Sequence, residues 1–265
     1  MPINRRHFGM GVLASGLSLA QAGLARSQSP ALTDFLEPGT VSDVLSGDSF
    51  VLEDGRQVRL AGIEAPRAAQ GEASAQPLSQ LARINLQELI RGKTVKFVDP
   101  APDRFGRLRA HVLWGREQNW LQGELLGTGM ARVRTWNDDQ ARAEQMLTTE
   151  HTARAAKIGL WARAFYAVRD PEAVSAAVGS YQIVEGEVVD ASITKKMVYL
   201  NFGTDWRRDF TAQADKKTAK LFAKAGINMA GLSGAMIRVR GTIRYRNGPM
   251  LWLNHPAQLE VLAGS

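Results

Sequence analysis

Three charged residues of this sequence have the types and spacing that phosphodiester chemistry requires. Asp48 opens a short β-branched and aromatic run, Arg59 lies in the next run across an Asp54-Gly55 pair, and Arg107 opens a later run. A guanidinium can bind two phosphate oxygens at once, and it can stabilise the charge that builds on them during hydrolysis. A carboxylate can hold a hard cation that activates water or neutralises charge. The sequence therefore predicts a site that hydrolyses or binds phosphodiesters.

The elements that must position these residues follow from the hydrophobic pattern. An Asp-Gly pair between two short runs predicts a β-hairpin formed by residues 49–53 and 57–63. Leucines at helical spacing predict a helix over residues 72–90, with Gly92 just past its end. We expect further strands at 93–98, 107–114, 181–189, 197–202, 236–245 and 250–253, and further helices at 120–126, 138–157 and 211–225.

The same pattern, with the composition, predicts how the chain is divided. The 265 residues are 45% hydrophobic and 22% charged, which excludes wholesale disorder, and the absence of cysteine excludes disulfides, thiolate metal sites and a cysteine nucleophile. We expect a signal peptide at 1–26, a linker at 27–37, a first domain at 38–165, a linker at 166–179 and a basic, strand-rich domain at 180–265.

The first 26 residues have the composition of an export signal. Arg5 and Arg6 precede an apolar stretch from Phe8 to Ala22 that is too short and too rich in small residues to span a membrane. The arginine pair resembles a twin-arginine export motif. We therefore expect export to the periplasm or secretion, cleavage near Ala22 or Ala25, and no stable membrane insertion afterwards.

Five short stretches, taken in their order and spacing, resemble the staphylococcal nuclease (thermonuclease) family over about residues 41–162. They are SGDS at 46–49, VRLAGIEAP at 58–66, GEAS at 71–74, DRFGR at 103–107 and KIGLW at 157–161. The resemblance implies a five-stranded OB-type barrel with helices packed on it, which hydrolyses DNA and RNA with Ca²⁺. The expected fold class is thus mainly β with helices (α+β), an OB-type barrel followed by a smaller OB-like barrel.

The resemblance also implies roles for individual residues. Asp48, Glu64 and the backbone carbonyl of Ala65 match the positions of the metal ligands. Glu64 is one methylene longer than the aspartate that the family usually has there. Arg59 and Arg107 match the two phosphate-binding arginines, so the resemblance assigns them to catalysis.

The position of the general base departs from the family. Arg67 stands where the family has its catalytic glutamate, and an arginine cannot accept a proton from water. Loss of a general base typically costs about 10²–10⁴ in rate. Two interpretations stay open: either Glu64 or Glu72 substitutes as the base of an exported endonuclease, or the domain binds phosphates but hydrolyses them poorly or not at all. In the extreme case the protein is a non-catalytic envelope protein that binds nucleic acid or another polyanion.

The second block contains a strand with an alternating basic pattern. Arg238, Arg240, Arg244 and Arg246 all occupy even positions, and apolar residues hold most of the odd ones. Period-two alternation puts the four arginines on one strand face, which an OB-type groove would use to bind a DNA or RNA backbone. The alternative is an ordinary solvated face that protects a sheet edge.

The excess of positive charge also lies in this block. Residues 171–265 carry 12 basic and 8 acidic residues, whereas residues 27–170 carry 18 of each. Net charge bears on association with acidic partners and not on the fold.

The remaining conspicuous residues predict structure and not chemistry. Trp114, Trp136 and Trp161 lie beside apolar strand or helix-end runs, so we expect them to be buried and not to stack on bases. His111 and His151 lack any metal-ligand spacing. The absence of a Walker loop, a Gly-x-Gly-x-x-Gly and a Gly-x-Ser-x-Gly motif argues against nucleotide triphosphatases, dinucleotide enzymes and α/β-hydrolases.

Overall fold

The structure is a computed structural model that describes residues 37–262. The signal peptide expected at 1–26 and nearly all of the linker expected at 27–37 lie outside the described residues. The described residues belong to one compact unit. Between residues 37 and 262, no helix has both the length and the apolar character that crossing a membrane requires.

Strands and α-helices alternate along the described chain. The strands are β1 (Gly39–Ser46), β2 (Ser49–Leu52), β3 (Gln57–Leu60), β4 (Ile63–Glu64), β5 (Thr94–Pro102), β6 (Leu108–Trp114), β7 (Asn119–Trp120), β8 (Arg132–Val133), β9 (Tyr181–Glu187), β10 (Asp190–Ile193), β11 (Met197–Asn201), β12 (Thr211–Asp215), β13 (Met236–Thr242), β14 (Arg244–Tyr245), β15 (Pro249–Trp252) and β16 (Leu259–Val261). The α-helices are α1 (Ser79–Ile90), α2 (Leu121–Gly127), α3 (Ala143–Ala155) and α4 (Lys216–Lys224).

The first part of the chain forms a closed barrel of five strands. Its order is β3-β2-β1-β5-β6, and a parallel pairing of β3 with β6 closes it, while the other four pairings are antiparallel. The Asp54-Gly55 hairpin between β2 and β3 forms as predicted, with Gly55 at a φ of 85°. This mixed barrel confirms the fold class expected for the first domain.

A core of alternating apolar side chains fills the barrel. Phe50 and Leu52 from β2 and Val58 and Leu60 from β3 are each at most 1% exposed. Helices α1, α2 and α3 pack on this core through buried residues, among them Leu86 of α1. Burying each such side chain stabilises the fold by roughly 1.5–3 kcal/mol.

Helices α1 and α3 are shorter than the sequence predicted. Helix α1 begins at Ser79, because Pro77 disfavours helical backbone before it and Leu78 adopts a φ of 67°. Helix α3 begins at Ala143, after Arg142 at a φ of 58°. A left-handed residue cannot continue a right-handed helix, so each helix starts after it.

The second part of the chain forms two sheets around a separate core. Their orders are β10-β11-β12-β15-β14 and β16-β13-β9. The helix predicted at 211–225 is wrong in its first turn, because residues 211–215 form strand β12. The Asp215 side chain then caps α4 by accepting a hydrogen bond from the Thr218 backbone N–H at 2.7 Å. Closure of these sheets into an OB-like barrel stays a prediction.

Residues 166–179, predicted to be a linker, take part in packing. Tyr166 is buried, and a 3-10 helix at Pro171–Ala177 inserts Val174 into the second core. The domain boundaries placed on either side of this segment stay a prediction.

Hydrogen bonds join the barrel to the C-terminal sheets. The Tyr181 hydroxyl donates to the Val133 carbonyl at 3.0 Å, and the His255 Nε2 atom lies 3.3 Å from the Thr135 carbonyl oxygen. Both contacts are buried. The first reaches Val133, the last residue of β8, and the second reaches Thr135, two residues after it. The two parts are therefore held together at one edge of the barrel.

We predict that stability depends on pH through His255. Burial lowers the pKa of this histidine from 6.5 to about 4, and its hydrogen bond with Thr135 offsets only part of that effect. The unfolded histidine takes up a proton near its ordinary pKa, so the free energy of unfolding should fall as the pH decreases from about 6.5 to about 4, by up to about 3 kcal/mol.

Urea unfolding at several pH values between about 7 and 4.5 tests this prediction. His255→Gln should remove this part of the pH dependence, whereas His151→Gln, at an exposed position of α3, should retain it. An unchanged pH dependence in His255→Gln would contradict the assignment.

Candidate functional site

Asp48 lies in the turn between β1 and β2 and is 4% exposed. Its Oδ1 atom accepts a hydrogen bond from the Ser46 hydroxyl at 2.7 Å and lies 2.5 Å from Arg59 Nη1. Its Oδ2 atom accepts from the Ala65 backbone N–H at 2.8 Å. This approach requires Gly47, because a Cβ atom there would lie 2.7 Å from the Ala65 Cβ. Both oxygens of Asp48 are thus engaged by the protein.

Arg59 lies on β3, and Arg107 directly precedes β6, the strand that pairs with β3. Arg59 is paired across the parallel β3–β6 ladder with Arg109, two residues after Arg107. The Arg107 Nε donates to Asp103 Oδ2 at 2.8 Å, and the Arg59 Nη2 donates to the Ile63 carbonyl at 3.3 Å. Their side chains are 24% and 31% exposed. Each guanidinium is held by a carboxylate but reaches solvent.

Glu64 is surrounded by three arginines, and these four residues are called the Glu64 cluster. Its Oε1 atom forms short ion pairs with Arg67 and Arg134, and its Oε2 atom lies 3.0 Å from Arg132 Nη2. Strand pairing explains one contact, because Glu64 of β4 lies directly opposite Arg132 of β8. Glu64 is 3% exposed, whereas the Arg67 side chain is 60% exposed.

The charge balance of the Glu64 cluster is strongly positive. Three guanidiniums against one carboxylate leave a formal charge of +2. Burial alone would raise the pKa of Glu64, but the three guanidiniums outweigh it and hold that pKa below its ordinary value. A carboxylate with a lowered pKa is a weaker base, so Glu64 is poorly suited to take a proton from water.

The predicted metal ligands do not form a site that fits a divalent cation in this arrangement. Within residues 37–262, no group of three or more His, Asp and Glu side chains is placed to hold a metal. Asp48 and Glu64 already use both oxygens, and the guanidiniums around Glu64 repel a cation. Ca²⁺ binding by Asp48, Glu64 and Ala65 stays a prediction that the charge distribution opposes.

The four arginines predicted to form one basic face are divided by the structure. Arg238 and Arg240 are 8% and 1% exposed, and they pair with buried or half-buried glutamates. Arg244 and Arg246 are exposed. Because buried, neutralised guanidiniums cannot reach a polyanion, the predicted substrate-binding role stays open only for Arg244 and Arg246.

Arg238 and Arg240 pair with glutamates from distant parts of the chain. Arg240 Nη1 lies 2.9 Å from Glu150 Oε1 of α3, and its Nη2 lies 2.6 Å from Glu260 Oε1. Arg238 Nη2 lies 2.6 Å from Glu185 Oε2 on the neighbouring strand β9. The positive charge of this strand therefore serves internal ion pairs.

Two arginines of the Glu64 cluster were not predicted as site residues from the sequence, and one tryptophan was wrongly predicted to be buried. Arg132 and Arg134 flank Val133 with the same period-two spacing that was recognised in the second block, but β8 is too short for a strand prediction. Trp161 is 8% exposed, as expected, whereas Trp136 is 49% exposed. Burial of Trp136 was therefore wrongly predicted.

Comparison with known proteins gives this site a family context. Residues 57–163 match the family model described as "Staphylococcal nuclease homologue". The protein named "Probable endonuclease LCL3" of Komagataella phaffii is 31% identical over 109 residues, which cover 39% of this chain and 48% of that protein. Its namesake from Saccharomyces cerevisiae is 37% identical over 112 residues, which cover 39% of this chain and 40% of that protein. The chain thus spans less than half of the length of these curated relatives.

We predict that Glu64→Gln destabilises the fold, because three guanidiniums would lose the carboxylate that they share. Removing one partner of a buried ion pair costs about 3–5 kcal/mol. The free energy of urea unfolding near neutral pH should therefore fall by roughly 3 kcal/mol. Glu72→Gln, at an exposed position, should change it by less than about 0.5 kcal/mol. Equal stabilities of the two variants would contradict a structural role for the cluster.

Proposed function

We propose that this chain, whose residues 57–163 form a domain of the staphylococcal nuclease homologue family, has a nuclease-like function directed at the phosphodiesters of DNA or RNA. Arg59 and Arg107 support the proposal, because Arg59 lies on β3, Arg107 directly precedes the neighbouring strand β6, and each exposes part of its guanidinium. A guanidinium fork matches phosphate oxygens and stabilises the charge that develops on them. The names of the relatives, probable endonucleases, agree with this substrate class.

We further propose that hydrolysis by this domain is weak. The observation that carries this step is the ion pair between Arg67 and Glu64. Arg67 cannot accept a proton from water, and Glu64 is buried among guanidiniums that lower its pKa. We propose that Glu72, which is exposed and lies outside the Glu64 cluster, does not substitute as the base, so the rate should be about 10²–10⁴ lower than that of a complete site.

Whether cleavage depends on a divalent cation is left to experiment, and the proposed chemistry does not use such a cation. The family is generally dependent on divalent metal ions, in particular Ca²⁺, but the Glu64 cluster does not fit a cation. No step of the proposed reaction is therefore assigned to a metal ion.

A second candidate function is binding of nucleic acid or another polyanion without hydrolysis. This second candidate is favoured because Asp48 and Glu64 are already bonded to protein groups, so neither carboxylate is free to activate water. Export, which the first 26 residues predict, would place either activity in the periplasm or outside the cell.

We predict that Arg67→Glu increases cleavage of plasmid and single-stranded DNA by about 10²-fold or more, because it supplies the missing base. Arg67→Gln is the matched control, since it removes the cation without supplying a base, and its cleavage should stay slow. Rates are measured on the purified chain with Ca²⁺ and with a chelator. A wild-type rate equal to that of Arg67→Glu would contradict the proposed weakness.

Three further outcomes separate the two candidate functions. Salt-dependent binding of DNA with no cleavage in any variant supports the second candidate. Loss of both binding and cleavage in an Arg59→Ala/Arg107→Ala double variant supports the proposed phosphate site. Absence of any nucleic-acid binding by the wild-type chain overturns both candidates.

A further inference from the structure

A cleft of about 280 Å³ opens where the barrel meets the C-terminal sheets. It is lined by residues from both parts, and those that matter here are Arg134, Trp136, Tyr181, Arg244, Trp252 and His255. Arg134 also belongs to the Glu64 cluster, so the cleft adjoins the candidate functional site.

The cleft presents aromatic rings to solvent beside a guanidinium. Trp136 is 49% exposed and Trp252 is partly exposed. The Arg134 guanidinium carbon lies 4.9 Å from the centroid of the Trp136 ring and 4.8 Å from that of Tyr181. Exposed aromatic rings next to a cation form the surface on which proteins stack the bases of single strands.

A buried hydrogen-bond acceptor without a partner lies in the same cleft. His255 is 2% exposed, and within residues 37–262 its Nδ1 atom has no hydrogen-bond partner. Burial keeps the imidazole neutral by lowering its pKa to about 4, so an Nε2–H that donates to the Thr135 carbonyl leaves Nδ1 as an acceptor. Solvent does not reach Nδ1 in this arrangement, so the N–H that every nucleobase carries on its edge would bond to it only after the His255 side chain moved.

The charge at the cleft suits a phosphate attached to such a base. Arg244 is exposed, and no carboxylate of the described residues pairs with it. The acidic residue of the lining, Asp138, already pairs with Arg109 at 3.0 Å. The cleft therefore offers one unneutralised guanidinium at its rim.

We propose that this cleft binds one unpaired base of a single-stranded nucleic acid between its aromatic rings, with an adjoining phosphate at Arg244. The inference rests on the proposed function, because the same strand would continue towards the phosphate site of the barrel. It gives the C-terminal sheets a part in recognising substrate. A base held in a duplex cannot enter the cleft without leaving its stack, so single strands should bind better than duplexes of equal length.

Binding of a short fluorescent single-stranded DNA to the full chain, measured with chelator present, tests the inference. Trp252→Ala should weaken binding by about 5- to 150-fold, which is the range for loss of one stacking partner. Trp206→Ala is the matched control, because Trp206, in the turn between β11 and β12, is 50% exposed but does not line the cleft. Trp136→Ala, at a half-exposed position, provides a second stacking variant if Trp252→Ala fails to fold.

The phosphate contact is tested by a second matched pair. Arg244→Gln should weaken binding and reduce its salt dependence, whereas Arg116→Gln, at an exposed position in the turn between β6 and β7 and outside the lining, should do neither. An oligonucleotide with abasic positions should bind as weakly to the wild type as the normal one binds to Trp252→Ala. Binding of a free mononucleotide but not of the strand would overturn the assignment to single strands.

Equal binding by Trp252→Ala and Trp206→Ala, or unimpaired binding of the abasic strand, would also overturn the inference. The cleavage assay of Arg67→Glu is independent of both results. If the protein cleaves DNA but the cleft variants bind as well as the wild type, only the inference about the cleft is contradicted. If binding depends on the cleft but no variant cleaves, only the proposed hydrolysis is contradicted.

Discussion

Strand β8 has only two residues, and two buried carboxylates hold it in place. Glu64 pairs with the guanidiniums of Arg132 and Arg134, and Glu150 Oε2 accepts a hydrogen bond from the Val133 backbone N–H at 2.6 Å. Such a short strand cannot hold its position through its own ladder. Burying a carboxylate is favourable only when it is paired and hydrogen-bonded, so each contact is required by the other. The candidate site, the cleft and the junction between the two parts all depend on this strand.

Much of the positive charge of the chain forms ion pairs inside the protein and is not available to an outside partner. Many arginines of this protein are internal counterions, since Glu64, Glu150 and Glu260 each pair with at least two of them. Around Glu150 and Glu260 the carboxylates neutralise these charges at short range, so they contribute little to an outward field, whereas the Glu64 cluster keeps a formal charge of +2. Affinity for a polyanion must come from the guanidiniums that still reach solvent. Among the residues discussed above, these are Arg59, Arg67 and Arg107 in the first part of the chain and Arg244 and Arg246 in the second.

Local sequence patterns predicted what local forces determine. The Asp54-Gly55 hairpin and most strands were found because turn chemistry and alternation act over a few residues. The helix starts were missed because the helical pattern does not reveal the left-handed backbone of Leu78 and Arg142, and because Pro77, which disfavours helix before Leu78, was not taken into account. The alternation of Arg238 and Arg240 was read correctly, but their burial was not foreseen. Their carboxylate partners are 20 or more residues away in the sequence, and a local alternation pattern cannot identify contacts over that separation.

The contact of Arg240 with Glu150 limits how this protein can be recombined. Its guanidinium belongs to the C-terminal sheets, and the carboxylate belongs to the barrel helix α3, yet they are 1% and 0% exposed. A barrel transplanted without those sheets would lose a counterion of a carboxylate that water barely reaches. The sheets transplanted alone would carry an arginine that had lost one of its two buried anions. The five-stranded barrel is therefore not expected to behave as an interchangeable module, and a chimera would need matching residues at both ends of this ion pair.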